Sequence, residues 1–153
     1  MQRGLRPFRQ VLLGAGMLLL VSGCGGKGGE AEVAVVPGKG RLTLKGQPGA
    51  NLSLTLVPRG QGSTIRPQAV TGADGSFEVT TYKTGDGGPE GQYKVVVTVA
   101  VDPTLSDSKK EEMAGKLAAE AKKVPPAYQK AETTPLSVRL EKGKPDLGTL
   151  EIK

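Results

Sequence analysis

Leu52-Ser53-Leu54-Thr55-Leu56-Val57-Pro58 decides the fold. Leucine returns at every second position with a hydroxyl residue between, the period of a strand with one face in a core and the other in water. A helix would put Leu54 on the side opposite Leu52 and Leu56. Pro58 has no N–H to give to a ladder and marks the end of the strand. The same period appears on either side. Leu42 and Leu44 alternate with Arg41, Thr43 and Lys45, and Gly46-Gln47-Pro48-Gly49 reads as the turn that follows.

Farther along, residues 68–71 form a short strand after a loop opened by Gly60 and Gly62. Ala73-Asp74-Gly75-Ser76 is a tight turn, in which Asp74 bonds its own downstream backbone and Gly75 supplies a positive φ. Phe77, Val79 and Thr81 then share a face, residues 83–91 (KTGDGGPEG) make a loop, and residues 93–101 form the most apolar strand, with Val95, Val97 and Val99 inward. Leu136, Val138 and Leu140 alternate in one more strand, Leu150 and Ile152 in the last. Seven short strands with turn signals about every ten residues predict a mainly β protein, a seven-stranded β-sandwich.

One stretch breaks the period. Residues 105–124 are rich in Ala, Lys and Glu, open on a capping box at Ser108-Lys109-Lys110-Glu111 and stop at Pro125 and Pro126. Their apolar stripe is only Met113, Leu117, Ala121 and Val124. The pattern predicts a helical insert over residues 102–134 that packs loosely and is the most mobile part of the domain. An Ala-Lys-Glu face of this kind serves as a partner surface or as a solvated helix without a partner.

Composition narrows the chemistry. The chain has 153 residues with no His, one Cys and no Trp. Those counts exclude Ser-His-Asp and Cys-His catalysis, His-ligated zinc, Cys-rich metal sites and any internal disulfide. Hydrophobic residues at 37% suffice for a core although only three Tyr and two Phe are present. About 120 residues remain after the N-terminal segment, enough to bury roughly two-thirds of the unfolded surface.

That segment reads as an address. Arg3, Arg6 and Arg9 precede residues 11–21 (VLLGAGMLLLV), an unbroken apolar and glycine run. A basic head before a run of this length has the form of a secretory signal. As a helix the run reaches about 16 Å, roughly half of a 30 Å hydrocarbon core, too short for a permanent span. It ends in Val21-Ser22-Gly23-Cys24, which resembles the lipobox of bacterial lipoproteins. The resemblance implies cleavage of residues 1–23 and attachment of a diacylglycerol, with further acylation such as palmitate, to Cys24. Two or three acyl chains, at about 0.8 kcal/mol per buried methylene, anchor durably. Cleavage removes three arginines, so 18 Lys and Arg face 15 acids and the net charge falls from +6 to +3. No basic cluster interleaved with aromatics remains, and nucleic acid is excluded as a partner. Gly25-Gly26-Lys27-Gly28-Gly29 lies within residues 24–32, a lipidated Cys and flexible tether, and residues 33–153 form the domain. Those glycines and Lys27 lack the following Ser or Thr of a phosphate loop.

A second resemblance lies within the domain. Residues 38–48 (GKGRLTLKGQP), the turn Thr71-Gly72-Ala73-Asp74-Gly75-Ser76-Phe77 and Gly91-Gln92-Tyr93-Lys94-Val95 are similar to the opening, turn and strand motifs of carboxypeptidase-regulatory-like and transthyretin-like domains. Gly72 stands where that turn usually has a polar residue. Pro125-Pro126-Ala127-Tyr128 and Thr133-Thr134-Pro135-Leu136 resemble a version found in short lipoproteins of Planctomycetes-type bacteria. The family implies a prealbumin-like Greek-key sandwich, with Asp74, Gly75, Phe77, Gly91, Tyr93, Pro125 and Tyr128 as its motif residues, and an accessory rather than catalytic role.

Residues able to do chemistry have ordinary competitors. Ser106-Asp107-Ser108-Lys109 contains the S-x-x-K spacing of β-lactam-binding enzymes but not its companion motifs, and suits a helix start. Glu78, Asp86, Glu90 and Asp102 could pair as carboxylates or bind calcium, yet lack the spacing of a calcium loop, and turns use the same residues. Asn51, or Asp146 opposite Lys39 or Lys45, could enter a Lys isopeptide link. Phe77, Tyr82, Tyr93 and Tyr128 could stack on sugars, although core packing claims at least Phe77 and Tyr93. The sequence therefore points to a non-enzymatic, lipid-anchored module of the cell envelope. It needs no cofactor and no metal, sits on the periplasmic face or outer membrane, and has a binding or structural role toward an envelope protein or polysaccharide. The alternative is a carbohydrate-binding or hydrolytic accessory domain.

Overall fold

The computed structural model describes residues 32–60, 64–102 and 104–153. Val33–Lys153 is one compact unit. In chain order its elements are β1 (Lys39–Leu44), β2 (Gln47–Pro48), β3 (Leu52–Pro58), β4 (Gln68–Val70), β5 (Ser76–Glu78), β6 (Gly91–Val99), α1 (Asp107–Lys123), a 3₁₀ turn (Pro126–Gln129), β7 (Ser137–Leu140) and β8 (Asp146–Ile152). The architecture is mainly β, with two sheets and one helix, consistent with a β-sandwich.

One sheet runs β4-β3-β6-β7, antiparallel throughout, with β3 and β6 paired over seven residues from Leu52↔Val99 to Pro58↔Tyr93. The other is built on β1, which pairs in parallel with β8 and antiparallel with β5 and β2. Between the sheets lies a single core. Leu42, Leu54, Leu56, Val79, Val95, Val97, Leu140 and Ile152 are at most 1% exposed, and Phe77 and Tyr93 close it. The alternation of β3 is realised as expected, Leu52, Leu54 and Leu56 buried and Ser53 and Thr55 half-buried.

Several boundaries differ from the sequence reading. The described residues contain eight strands rather than seven, because Gln47 and Pro48 run back along β1 instead of forming the turn. The turn is Lys45-Gly46, with φ of 51° and 79°, the double positive φ of a type I′ hairpin turn. The strand carrying Phe77 stops at Glu78, and Thr81 belongs to the following loop. There the Asp86 carboxylate takes the N–H groups of Thr81, Tyr82 and Lys83 out of any ladder. β6 covers 91–99 rather than 93–101, and Val101 lies exposed beyond it. β8 starts at Asp146, with a bulge at Leu147-Gly148 where Gly148 has φ of 72°.

The helix begins at Asp107 with Ser106 at its N-cap, so the expected capping box at Ser108 and Glu111 does not form. Ser108 falls inside the first turn, where its hydroxyl meets that of Ser106 at 3.1 Å. No residue of α1 is buried, as its thin stripe implied. The rest of the insert departs from that expectation. Val124, Tyr128 and Thr134 are buried, and Lys94 Nζ donates to the Thr134 carbonyl at 2.8 Å. Loose packing is confined to the helix, because the 3₁₀ turn after it presses Tyr128 into the core cluster.

Candidate functional site

The expected lipobox residues Val21, Ser22 and Gly23, the expected lipidation site Cys24 and residues 25–31 of the expected tether lie outside the described residues. The other motif residues are all placed, and they do not converge. Asp74 Oδ1 accepts the Ser76 N–H at 3.0 Å and its hydroxyl at 2.6 Å, and these bonds hold the Asp74 carboxyl below its usual range, helped by Arg41 at 3.3 Å. Gly75 has φ of 78°, and a Cβ there would run into the Leu42 carbonyl. Phe77 packs its ring against Gly40. Gly91 opens β6 opposite Leu140. The Tyr93 hydroxyl donates to the Pro89 carbonyl at 2.7 Å, and burial pushes its phenol above the ordinary value. Pro125 stops the helix and heads the 3₁₀ turn, which carries Tyr128 so that its Oη accepts the Lys153 N–H at 3.3 Å. Each of the seven holds a turn, a strand end or the core.

The candidate chemistries fare similarly. Ser106 and Lys109 are both exposed at the helix start, where water reaches the hydroxyl. Glu90 accepts the Lys142 N–H at 2.7 Å, and Asp102 accepts the Thr104 N–H and hydroxyl, which hold its carboxyl low. Burial works to raise the Asp86 carboxyl, but the three N–H bonds outweigh it and keep it below the ordinary range. Asp86, Glu90 and Asp102 serve the backbone, and no group of three metal-ligating side chains occurs among the described residues. Asn51, with φ of 54°, forms part of a turn whose N–H bonds the Thr71 carbonyl. Lys39 and Asp146 are register partners across β1 and β8, with Glu78 on the other flank of Lys39. All three are exposed, and Asp146 Oδ1 accepts the Gly148 N–H. An amide link between them would need the pair shut away from water, and both are exposed. Of the four aromatics only Tyr82 is exposed, so no sugar-stacking row exists among the described residues.

The arrangement does make one sizeable concavity. The outward side chains of β1, β5 and β8 meet the edge of β4 around an open groove of ≈ 950 Å³, lined by Lys39, Arg41, Gln68, Glu78, Asp146 and Thr149 among others. The outward half of each alternation was legible in the sequence, but not which strands would lie side by side. A smaller apolar cleft of ≈ 360 Å³ separates α1 from β6, between Leu117, Ala121 and Val124 on one side and Val99 on the other. Two buried hydroxyls carried no sequence signal. Thr71 Oγ1 accepts the Leu52 N–H at 2.8 Å, and Thr134 Oγ1 donates to the Val95 carbonyl at 2.8 Å, each tying a loop to the end of a ladder.

No family model, curated protein or solved structure matches the chain.

Proposed function

We propose that the chain is a lipid-anchored, non-enzymatic module of the cell envelope, exported by residues 1–23 and held to the membrane by acyl chains on Cys24. The observation that carries this reading is Val21-Ser22-Gly23-Cys24 at the end of the apolar run, followed by a glycine-rich tether. The start of the compact unit at Val33, directly after that tether, supports it. The prealbumin-like Greek-key topology belongs to the same proposal, drawn from the motif resemblance and consistent with two sheets packed about one core. The turn-holding roles of Asp86, Glu90 and Asp102 favour an accessory module over a hydrolase.

The test is metabolic palmitate labelling with cell fractionation. The parent chain incorporates label and sediments with membranes, whereas Cys24→Ala loses the label and its cleaved, membrane-bound form. A Cys24→Ala chain that still takes up lipid refutes the reading. A second reading, binding of an extended polar envelope polymer, is favoured by the groove of ≈ 950 Å³. In that case Arg41→Ala weakens co-sedimentation with purified envelope polysaccharide.

A further inference from the structure

The compact unit has two ends, and the tether joins only one of them. Val33 donates its N–H to the Tyr82 hydroxyl at 3.0 Å, and Val36 and Gly88 exchange both backbone hydrogen bonds. The β5–β6 loop that holds these partners is joined to the β7–β8 connection by the Lys142 N–H on Glu90. Arg59, at the end of β3, donates its N–H to the Gln92 carbonyl, and Gln92 is the register partner of Arg139. Residues 33–38, 59–60, 64–67, 80–90 and 139–145 therefore form one pole. Lys45, Asn51, Asp74, Val101 and Lys153 lie toward the other, where β1, β6 and β8 end.

Charge is divided unevenly between the two. The tether pole carries Arg59, Arg66, Lys83, Arg139, Lys142 and Lys144, all exposed, against Asp86, Glu90 and Glu141. The remainder of Val33–Lys153 balances eleven cations with ten acids. The three acids of the pole are engaged. Asp86 and Glu90 bind backbone N–H groups, and Glu141 is shared between Arg139 at 3.3 Å and Lys144 at 3.0 Å. Arg59, Arg66, Lys83 and Lys142 make no ion pair among the described residues. Two contributions run the other way. Lys39 stands between Glu78 and Asp146 just inside the pole, and the tether sets Lys27 against Glu30 and Glu32. The balance at this end remains positive. It also exposes apolar surface beside those cations, with Val33 49% and Tyr82 39% accessible and bonded to each other.

We propose that this pole docks on an anionic lipid surface, with Arg59, Arg66, Lys83 and Lys142 on the headgroups and Tyr82 and Val33 at the interface. The inference rests on the lipid-anchor reading, because the anchor is what brings the pole to a bilayer. The eight residues of the tether reach at most about 28 Å and enter the domain at Val33 on this pole, so the cations stay within reach of the headgroups and can close to within a Debye length of them. Tyrosine suits that boundary, its ring apolar and its hydroxyl wet. Each cation near an anionic leaflet strengthens association about fivefold. The anchored domain is thereby held in one orientation, with the far pole and α1 presented away from the membrane.

The chain contains no Trp, so single-tryptophan reporters are available. Residues 24–153 are coupled through the Cys24 thiol to a maleimide lipid, in phosphatidylglycerol or in purely phosphatidylcholine vesicles containing brominated acyl chains. The expected result is strong quenching of Tyr82→Trp in phosphatidylglycerol, several times that of Val101→Trp at the other pole. High salt abolishes it, as does the combined Arg59→Gln, Arg66→Gln, Lys83→Gln and Lys142→Gln variant. That variant keeps the parent circular dichroism and melting curve, and the matching variant Lys45→Gln, Lys109→Gln, Lys116→Gln and Lys153→Gln leaves the quenching unchanged. Equal quenching of the two reporters, or stronger quenching of Val101→Trp, overturns the proposal. Chemical coupling makes the outcome independent of cellular lipidation, so failure here and loss of palmitate labelling are separate results.

Discussion

Replacing Asp86 with alanine strips three hydrogen bonds from one loop. Its carboxylate accepts the Thr81 N–H at 2.7 Å and the Tyr82 and Lys83 N–H groups at 2.9 Å each. A hydrogen bond to a charged group contributes about 1.5–3 kcal/mol in protein mutants, so a simple sum exceeds 4 kcal/mol. The site is half-buried and water can reach part of the freed backbone, so we take about 2–3 kcal/mol for the whole carboxylate. For a unit of this size that lowers the melting temperature by roughly 6–15 °C. Asp86→Asn places an NH₂ against at least one backbone N–H and keeps at most two of the three bonds, so it loses less than alanine does. The pH dependence has a definite sign. The folded carboxyl lies below its value of 3.8 in the unfolded chain, so its contribution is present above that pH and is lost as pH falls through the folded value. Asp86→Ala should flatten the acid side of the stability curve while lowering it at neutrality. Urea melts from pH 7 down to pH 2 measure both, and an alanine variant within about 0.5 kcal/mol of the parent at pH 7 would refute the reasoning.

Leu54 is fully buried at the centre of β3, and Leu54→Ala should cost about 3–5 kcal/mol in denaturant melts, whereas Thr55→Ala on the outward face should cost under about 1. Gly87 has φ of 95° and its missing Cβ would run into the Val36 carbonyl, so Gly87→Ala should detach residues 33–38 and raise their amide exchange before the sheets melt. Tyr93→Phe leaves the buried Pro89 carbonyl without its donor and should lose about 1–2 kcal/mol with no change in secondary structure. Limited trypsin digestion should cut first at Lys109, Lys116 or Lys122 of the exposed helix. First cuts at Lys83, or at Lys130 behind the buried Tyr128, would contradict the assignment of looseness to α1 alone.

Residues 52–56, 93–97 and 136–140 announce their strands because burial is a one-sided demand that a period of two meets locally, and each stands where its alternation placed it. The looseness of α1 was legible for the same reason, since Met113, Leu117 and Ala121 alone cannot bury a face over nearly five turns, and only Val124, just past its end, reaches the core. The proposed signal peptide and lipobox are linear signals, read from order along the chain rather than from packing. Pairing is another matter. That Lys39 faces Asp146 on one side and Glu78 on the other follows from β8 returning parallel to β1 after more than a hundred residues, and no local pattern encodes which distant strand takes a free edge. Turn placement escaped by one residue, because Gln47 and Pro48 have turn-like composition yet pair with Thr43 and Leu44 once Lys45-Gly46 has closed the hairpin. The roles of Asp86, Glu90 and Thr134 were invisible because loop carboxylates and hydroxyls look alike until the backbone N–H and C=O groups they serve are in place. The charged pole also belongs to the tertiary structure. Its six cations come from three separate stretches of chain, Arg59 with Arg66, Lys83, and Arg139 with Lys142 and Lys144, and only the stacking of strand ends brings them together beside Val33.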